Sequence, residues 1–173
     1  PFFSLQLTFS AVLPFPTAKR LGAVVFASDV RPQVKEQVES LGGRFVEVKS
    51  DENFETAGGY ARETSAEYKQ KQQEAVAEQL AKTNFAVTTA LIPGLPAPRL
   101  ITKAMLSAMP AGAVVVDMAS SAGGNVEGSE DGKTIVINGV TVIGNSNLAA
   151  SLPASASPDR KSTRLNSSHI PLS

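Results

Sequence analysis

Residues 21–31, Leu-Gly-Ala-Val-Val-Phe-Ala-Ser-Asp-Val-Arg, decide the fold that the sequence predicts. An apolar run of strand length, residues 23–27, lies between Gly22 and Asp29. A continuous apolar run of this length is typical of a parallel strand that is buried on both faces of a sheet. Ligands of open parallel sheets bind beyond the carboxyl ends of the strands, and Asp29 follows such an end. We therefore expect the chain to be organised around this strand and its aspartate.

Helical and extended patterns alternate on both sides of this strand. Gly22 is expected to end one helix, Pro32 suits the first turn of the next, and Gly42-Gly43 are expected to end that helix. The later predicted elements are an edge strand 44–48, a helix 65–82, a strand 85–90, a helix 102–109 that Thr102 caps, a strand 113–118 and a hairpin 134–143. Asn138-Gly139 within the hairpin suits a type I′ turn. The alternation predicts an α/β fold, a doubly wound, Rossmann-like and mostly parallel sheet, with a C-terminal β-hairpin that adds one antiparallel edge strand.

The composition indicates a globular protein without a polyanionic partner. The 173 residues, 42% of them hydrophobic and 18% charged, suit one domain with a sizeable core. Sixteen basic and sixteen acidic side chains leave no net charge, which argues against nucleic acid as a partner. No apolar run has the length of a membrane span. The chain has no cysteine and its one histidine is His169, so we expect neither a metal site nor a histidine-based catalytic dyad.

The two ends differ from the middle of the chain. Residues 1–16 are apolar and uncharged, and they suit a strand from Leu5 to Phe9 or Leu13, a signal-like segment without its basic part, or a truncated or mis-spliced end. Residues 158–173 are polar and without periodicity, resemble translated adapter sequence, and are expected to be disordered. We therefore place the domain at residues 17–157 and expect its first strand, with the turn that follows it, to be degraded.

Asp29 has two interpretations. A carboxylate at a strand end accepts hydrogen bonds from the two hydroxyls of an adenosine ribose, which favours NAD over NADP. The same side chain equally suits an N-cap for the helix that starts near Pro32. A ribose-binding aspartate usually follows a Gly-x-Gly-x-x-Gly turn by about twenty residues, because the glycines let the backbone approach the pyrophosphate. Residues 5–16, which occupy that position, contain no glycine.

Four other segments carry weaker signals. Residues 88–94, Thr-Thr-Ala-Leu-Ile-Pro-Gly, either let a nucleotide approach the backbone closely or only connect a strand to the following helix, with proline for stiffness. Residues 58–60, Gly-Gly-Tyr, suit a lid over a ligand or an exposed loop. Asp117 either faces the ligand crevice at the carboxyl ends of the strands or caps a loop. Residues 120–125, Ser-Ser-Ala-Gly-Gly-Asn, lack the lysine and the spacing of a phosphate-binding loop.

Taken together, these segments resemble one family. The strings that match it are TAKRLGAVV at 17–25, DVR at 29–31, EQVESLGG at 36–43, GGYA at 58–61, TTALIPG at 88–94, PAP at 96–98 and GGN at 123–125. They resemble the NAD(H)-binding domain of proton-translocating nicotinamide nucleotide transhydrogenase, alpha-subunit type, which is related to alanine dehydrogenase. The combination of TTALIPG with GGYA is typical of the transhydrogenases, and the match covers most of the chain.

The resemblance implies a set of NAD(H)-binding residues. They are Asp29, Val30, Arg31, Gly59, Tyr60, Gln72, Thr89, Ala90 and Leu91. The first three would hold the adenosine ribose, and the next two would lie on a mobile loop that closes over the nucleotide. The others would contact NAD from the long helix and from the end of the Thr-Thr strand. The family's catalytic Arg, Gln, Asp and Ser lie upstream of the matching region, so we expect no catalytic residue within it.

The resemblance also implies an activity and partners. In the family, hydride passes from NADH on this domain to NADP⁺ on a separate domain, coupled to proton movement through a membrane domain. NAD(H) would bind to this chain and NADP(H) to the partner domain, in a parent that forms a homodimer on the cytoplasmic or matrix face of the membrane. Close apposition of two nicotinamides replaces acid–base catalysis, which is compatible with a core without His and Cys.

Departures from the family pattern leave two alternatives open. The glycine turn and the family's second lobe are not matched, and residues 149–155 have lost a family Pro, Arg and Asp. One alternative is therefore an inactive or non-catalytic nucleotide-binding fragment. The other is an alanine-dehydrogenase-like oxidoreductase, which would require a pyruvate-binding lobe and a catalytic His and Lys that the matching region does not contain. We expect NADH binding by this chain to be weak.

Overall fold

A computed structural model describes residues 2–5, 14–29, 33–46, 66–92 and 94–148 of the chain. Its helices and strands, in chain order, are β1 (Phe2–Leu5), α1 (Pro14–Arg20), β2 (Val25–Ser28), α2 (Gln33–Ser40), β3 (Arg44–Phe45), α3 (Ala66–Leu80), β4 (Phe85–Thr88), α4 (Lys103–Ala108), β5 (Val114–Asp117), β6 (Thr134–Ile137) and β7 (Val140–Gly144). The predicted lid at 58–60 and the polar tail at 158–173, with His169, lie outside the described residues.

The strands form a single sheet in the order β3-β2-β1-β4-β5-β7-β6. All neighbouring pairs are parallel except β6 and β7, which are antiparallel. Asn138 and Gly139, between these two strands, have positive φ angles of 51° and 80°, as a type I′ turn requires. The structure therefore confirms the doubly wound α/β fold and the C-terminal hairpin with its antiparallel edge strand.

The first strand lies earlier than the sequence suggests. A strand starting at residue 5 was one interpretation of the apolar N-terminal segment, whereas β1 is Phe2–Leu5 and α1 already begins at Pro14. The whole segment is apolar, so periodicity does not locate a strand within it. Pairing does locate it, because β1 lies between β2 and β4 in the centre of the sheet. Residues 6–13, which connect β1 to α1, lie outside the described part of the chain.

Two helices end on glycines, as their sequences predict. The N–H of Gly22 donates to the carbonyl of Lys19 at 2.9 Å, and that of Ala23 donates to Ala18 at 3.0 Å. Gly22 has a φ of 82°, so this is the left-handed helix end that glycine favours. Gly42, with a φ of 72°, ends α2 in the same way. These two endings direct the chain from each helix into the following strand, β2 or β3.

Both faces of the sheet are covered by buried apolar side chains. On one face, Ala86 of β4 and Val115 of β5 belong to a cluster with residues of α3 and α4. On the other face, Val87 and Val116 belong to a cluster with residues of α1 and α2. Successive residues of a strand point to opposite faces, so a strand covered on both faces is apolar throughout. This explains the continuous apolar runs in the sequence.

The remaining predicted elements are confirmed with small changes in their ends, except that residues 47 and 48 of the predicted edge strand and residue 65 of the predicted long helix lie outside the described residues. Thr102 is the N-cap of α4, and its Oγ1 accepts a hydrogen bond from the N–H of Met105 at 3.3 Å. The long helix is α3, which spans 15 residues, and the predicted edge strand is β3. Among the helices that the structure describes, none is long and apolar enough to cross a membrane.

Candidate functional site

The candidate site is the carboxyl edge of the sheet on either side of β1. Leu5, the last residue of β1, is paired with Ser28 of β2 and with Thr88 of β4. The residues that follow, Asp29 and Thr89, therefore lie at the same edge, two strand spacings or about 10 Å apart. The strand order reverses between β1 and β4. In open α/β sheets this reversal is where a crevice for ligands forms.

Asp29 directly follows β2 and is buried, with 5% of its surface exposed. Its carboxylate thus lies at the strand end where the sequence places a ribose ligand. The helix α2 begins at Gln33. Val30, Arg31 and Pro32 lie outside the described residues, so the choice between a ribose ligand and an N-cap stays a prediction.

The segment after β4 contains the second group of predicted binding residues. Ala90 is fully buried, Thr89 is half-buried, and Leu91 has 52% of its surface exposed. Gln72 on α3 is half-buried and lies about 12 Å along the helix axis before Leu80. Because α3 returns the chain to the start of β4, Gln72 is displaced towards the carboxyl edge of the sheet. Gly59 and Tyr60 lie outside the described residues.

Asp117 lies at the end of β5, and its buried carboxylate binds the loop that follows. Its Oδ1 accepts a hydrogen bond from the N–H of Ala119 at 3.0 Å and one from the hydroxyl of Thr88 at 3.3 Å. Its Oδ2 accepts a hydrogen bond from the N–H of Val126 at 3.1 Å. Asp117 therefore caps a loop, which is one of the two interpretations of this residue from the sequence.

The glycine-rich segment 120–125 also makes its hydrogen bonds to other parts of this chain. Gly123 and Gly124 have φ angles of 97° and 79° and turn the chain back towards β4. The side chain of Asn125 then forms hydrogen bonds with the backbone of Ala90 and of Pro98. The sequence assigns no role to Asn125 itself, although this residue ends the GGN string at 123–125 that resembles the family.

A smaller polar cluster lies beside this loop. Oδ1 of Asp131 accepts hydrogen bonds from the hydroxyls of Ser120 and Ser146. These two bonds lower the pKa of the Asp131 carboxyl below its ordinary value, Ser120 having the larger effect. In the described part of the chain, no three His, Cys, Asp or Glu side chains are grouped as a metal site requires.

Comparison with known proteins agrees with this geometry. Residues 13–166 match the family model described as alanine dehydrogenase/PNT, C-terminal domain. The chain belongs to this family. It is 54% identical over 144 residues to the first part of NAD(P) transhydrogenase subunit alpha from Rhodospirillum rubrum, a match that covers 82% of this chain and 38% of that protein. The resemblance drawn from the sequence is thereby confirmed.

Two solved structures are similar to this chain. The crystal structure of transhydrogenase from Sinorhizobium meliloti is similar with a TM-score of 0.76 and 46% identity, over 90% of this chain and 41% of that one. An L-alanine dehydrogenase is similar with a TM-score of 0.67 over 88% of this chain and 38% of that one. At 21% identity the second likeness concerns the fold alone. This chain spans about two fifths of the length of the curated Rhodospirillum relative.

Proposed function

We propose that this chain is the NAD(H)-binding part of a proton-translocating NAD(P) transhydrogenase. The observation that carries the proposal is the position of Asp29 and of residues 89–91 at one sheet edge, on either side of β1. The reversal of strand order at this edge supports a dinucleotide site there. The names of the relatives support the transhydrogenase class.

In this proposal Asp29 selects the nucleotide. Its carboxylate accepts hydrogen bonds from the 2′- and 3′-hydroxyls of the adenosine ribose, whereas a 2′-phosphate would be repelled by the same charge. The residues proposed to complete the binding site are Val30, Arg31, Gly59, Tyr60, Gln72, Thr89, Ala90 and Leu91. Gly59 and Tyr60 would belong to a lid that excludes water from the bound nucleotide.

The chain's own contribution to the reaction is binding and orientation. Bound NADH supplies the hydride, which passes to NADP⁺ on a separate domain in a parent protein that also holds a membrane domain. Direct transfer requires the two nicotinamides to be close and aligned, and it requires no acid or base from this domain. We propose that the parent is a homodimer and that this domain faces the cytoplasm or matrix.

The connection after β1 favours a second candidate, a nucleotide-binding fragment without catalytic activity. Residues 6–13 read Gln-Leu-Thr-Phe-Ser-Ala-Val-Leu and contain no glycine. In dinucleotide folds the glycines of this turn let the backbone approach the pyrophosphate, and any side chain keeps it further away. The residues of this chain therefore fit the adenosine half of NADH better than its pyrophosphate.

Calorimetric titration with NADH and NADPH tests the proposal. We expect the unchanged chain to bind NADH weakly and NADPH more weakly still. Replacing Asp29 with Ala removes a charged acceptor, so Asp29→Ala should weaken NADH binding about tenfold or more and reduce the preference over NADPH. Glu39→Ala, which removes an exposed carboxylate from α2, is the matched control and should leave both affinities unchanged.

Two results would contradict parts of this proposal. If Asp29→Ala binds NADH as well as the unchanged chain does, the carboxylate does not hold the ribose. If the unchanged chain binds NADH with micromolar affinity, the glycine-free connection does not impair the site, and the second candidate loses its support.

A further inference from the structure

We infer that Asn125 is a positioning residue for the nucleotide site, an inference that rests on the proposed function. Its side chain holds the backbone of Ala90, and the two neighbours of Ala90 in the chain are the proposed contacts Thr89 and Leu91. Asn125 itself is fully buried and lies 35 residues further along the chain. It therefore acts on the nucleotide only through the segment that it holds.

The bonds to Ala90 replace those of a neighbouring strand. Oδ1 of Asn125 accepts a hydrogen bond from the N–H of Ala90 at 2.9 Å. Its Nδ2 donates to the carbonyl of Ala90, also at 2.9 Å. One residue of a sheet makes the same pair of bonds with a residue opposite it in an antiparallel strand. The amide of Asn125 thus extends the ordered backbone beyond β4, which ends at Thr88.

The loop that carries Asn125 is itself fixed from β5. Asp117 accepts a hydrogen bond from the N–H of Val126, the next residue. A Cβ added to Gly124 would lie 2.7 Å from Oδ2 of Asp117, so the chain passes this carboxylate at a distance that only glycine allows. The position of Asn125 is therefore set by two neighbours in sequence and one buried carboxylate.

The proline-rich segment on the other side is bound to the same residue. Nδ2 of Asn125 also donates to the carbonyl of Pro98 at 2.8 Å. The backbone carbonyl of Asn125 accepts hydrogen bonds from the N–H groups of Leu100 and Ile101 at 2.8 and 3.1 Å. Asn125 thus fixes both ends of the connection between β4 and α4. Because this connection is already ordered in the free chain, nucleotide binding loses less conformational entropy and its affinity is higher.

The test compares two variants of the full chain that each lose a buried hydrogen-bonding side chain. Asn125→Leu keeps a similar shape and removes all three side-chain hydrogen bonds. The control is Thr83→Val, which removes the bond from a fully buried hydroxyl to the carbonyl of Gln79, before the start of β4 and away from the carboxyl edge. Affinity is measured by NMR titration with NADH at a temperature where both variants are folded, and the hydrogen exchange of the Ala90 amide is recorded in the same samples.

We expect both variants to melt at a lower temperature than the unchanged chain. Only Asn125→Leu should weaken NADH binding, by about tenfold, and accelerate exchange at Ala90. If Asn125→Leu does not fold, Asn125→Ala replaces it, since alanine removes the same three hydrogen bonds and introduces neither a charge nor a larger side chain. Asn125→Ala should weaken NADH binding and accelerate exchange at Ala90 in the same direction.

The outcomes separate this inference from the proposed function. Folded Asn125→Leu that binds NADH within twofold of the unchanged chain overturns the inference and leaves the proposed function standing. Equal losses of affinity in Asn125→Leu and Thr83→Val also overturn it, because general destabilisation then explains both. An unchanged chain that shows no NADH-dependent shifts overturns the proposed function, and the positioning role falls with it.

Discussion

The two halves of the sheet, on either side of the ligand crevice, are stabilised by different interactions. In the half formed by β3, β2 and β1, the helices end on glycines and pack through apolar side chains such as Phe15, which is 1% exposed. In the half formed by β4, β5, β7 and β6, buried polar side chains also bind the backbone: Asn125 binds that of Ala90, 35 residues away, and Asp117 binds the loop that follows β5. Both halves bury apolar side chains, and the second half adds a polar network beneath the site.

This difference has a consequence for binding. Asn125 orders the segment after β4 within the chain itself, so the proposed contacts of residues 89–91 are held in place before a nucleotide arrives. The connection after β1 has no glycine to let the pyrophosphate approach. We therefore expect residues 89–91, after β4, to have their binding conformation in the free chain. The connection after β1 should limit the affinity for NADH.

The largest loss of stability is expected from removing a buried apolar side chain in the half formed by β3, β2 and β1. Phe15 packs against Gly43, where an added Cβ would lie 2.6 Å from the Phe15 ring. Phe15→Ala leaves a cavity in the apolar cluster that covers this face of the sheet and should lower the free energy of unfolding by about 3–5 kcal/mol. Urea denaturation measures the change, with Leu21→Ala as control, because Leu21 is 83% exposed and should change little. A loss below about 1 kcal/mol would show that apolar burial does not hold this half together.

A smaller effect is expected from two glycines that differ only in their surroundings. Gly124 and Gly112 both have positive φ, 79° and 83°, so alanine is strained by about 1–2 kcal/mol at either position. A Cβ at Gly124 also meets Oδ2 of Asp117, whereas nothing lies within 4 Å of one at Gly112. Gly124→Ala should therefore destabilise the protein by about 1–3 kcal/mol more than Gly112→Ala. Equal losses in thermal denaturation would show that Asp117 and this loop are not tightly fitted.

The smallest effect concerns Asp131, at the periphery of the second half. Hydrogen bonds from Ser120 and Ser146 lower the pKa of its carboxyl, so the ionised form contributes stability above the ordinary pKa of about 4. That contribution is lost as the pH falls through the lowered pKa of the folded state. An NMR titration of the carboxyl carbon should give a pKa below the ordinary value, and Ser120→Ala should raise it. A pKa that does not respond to Ser120→Ala would contradict this account.

Features of the fold are predictable from the sequence when they depend on residues close together in the chain. Gly22, Thr102 and Asn138-Gly139 act on neighbours within a few residues, and each was predicted with the structure that it forms. The fold followed, because alternating helices and apolar strands restrict the topology to a few arrangements. The start of β1 was not located, because the apolar N-terminal segment has no periodicity and its pairing is with strands that come later in the chain.

The site was predictable only in part, for the same reason. Asp29 and residues 89–91 were named from a strand end and from family strings, and the structure brings both to one edge. The role of Asn125 depends on a contact across 35 residues, which neither composition nor spacing indicates. Sequence patterns thus located the residues proposed to touch the nucleotide, and the structure was required to find the residue that positions them.

The most direct test of the central claim is an NMR titration of the full chain with NADH, following every assigned backbone amide. The account predicts weak binding, with a dissociation constant of about 1 mM or above, and shifts concentrated at Asp29 and at residues 89–91. Shifts confined to other parts of the sheet, or the absence of any shift at these two strand ends, would contradict it.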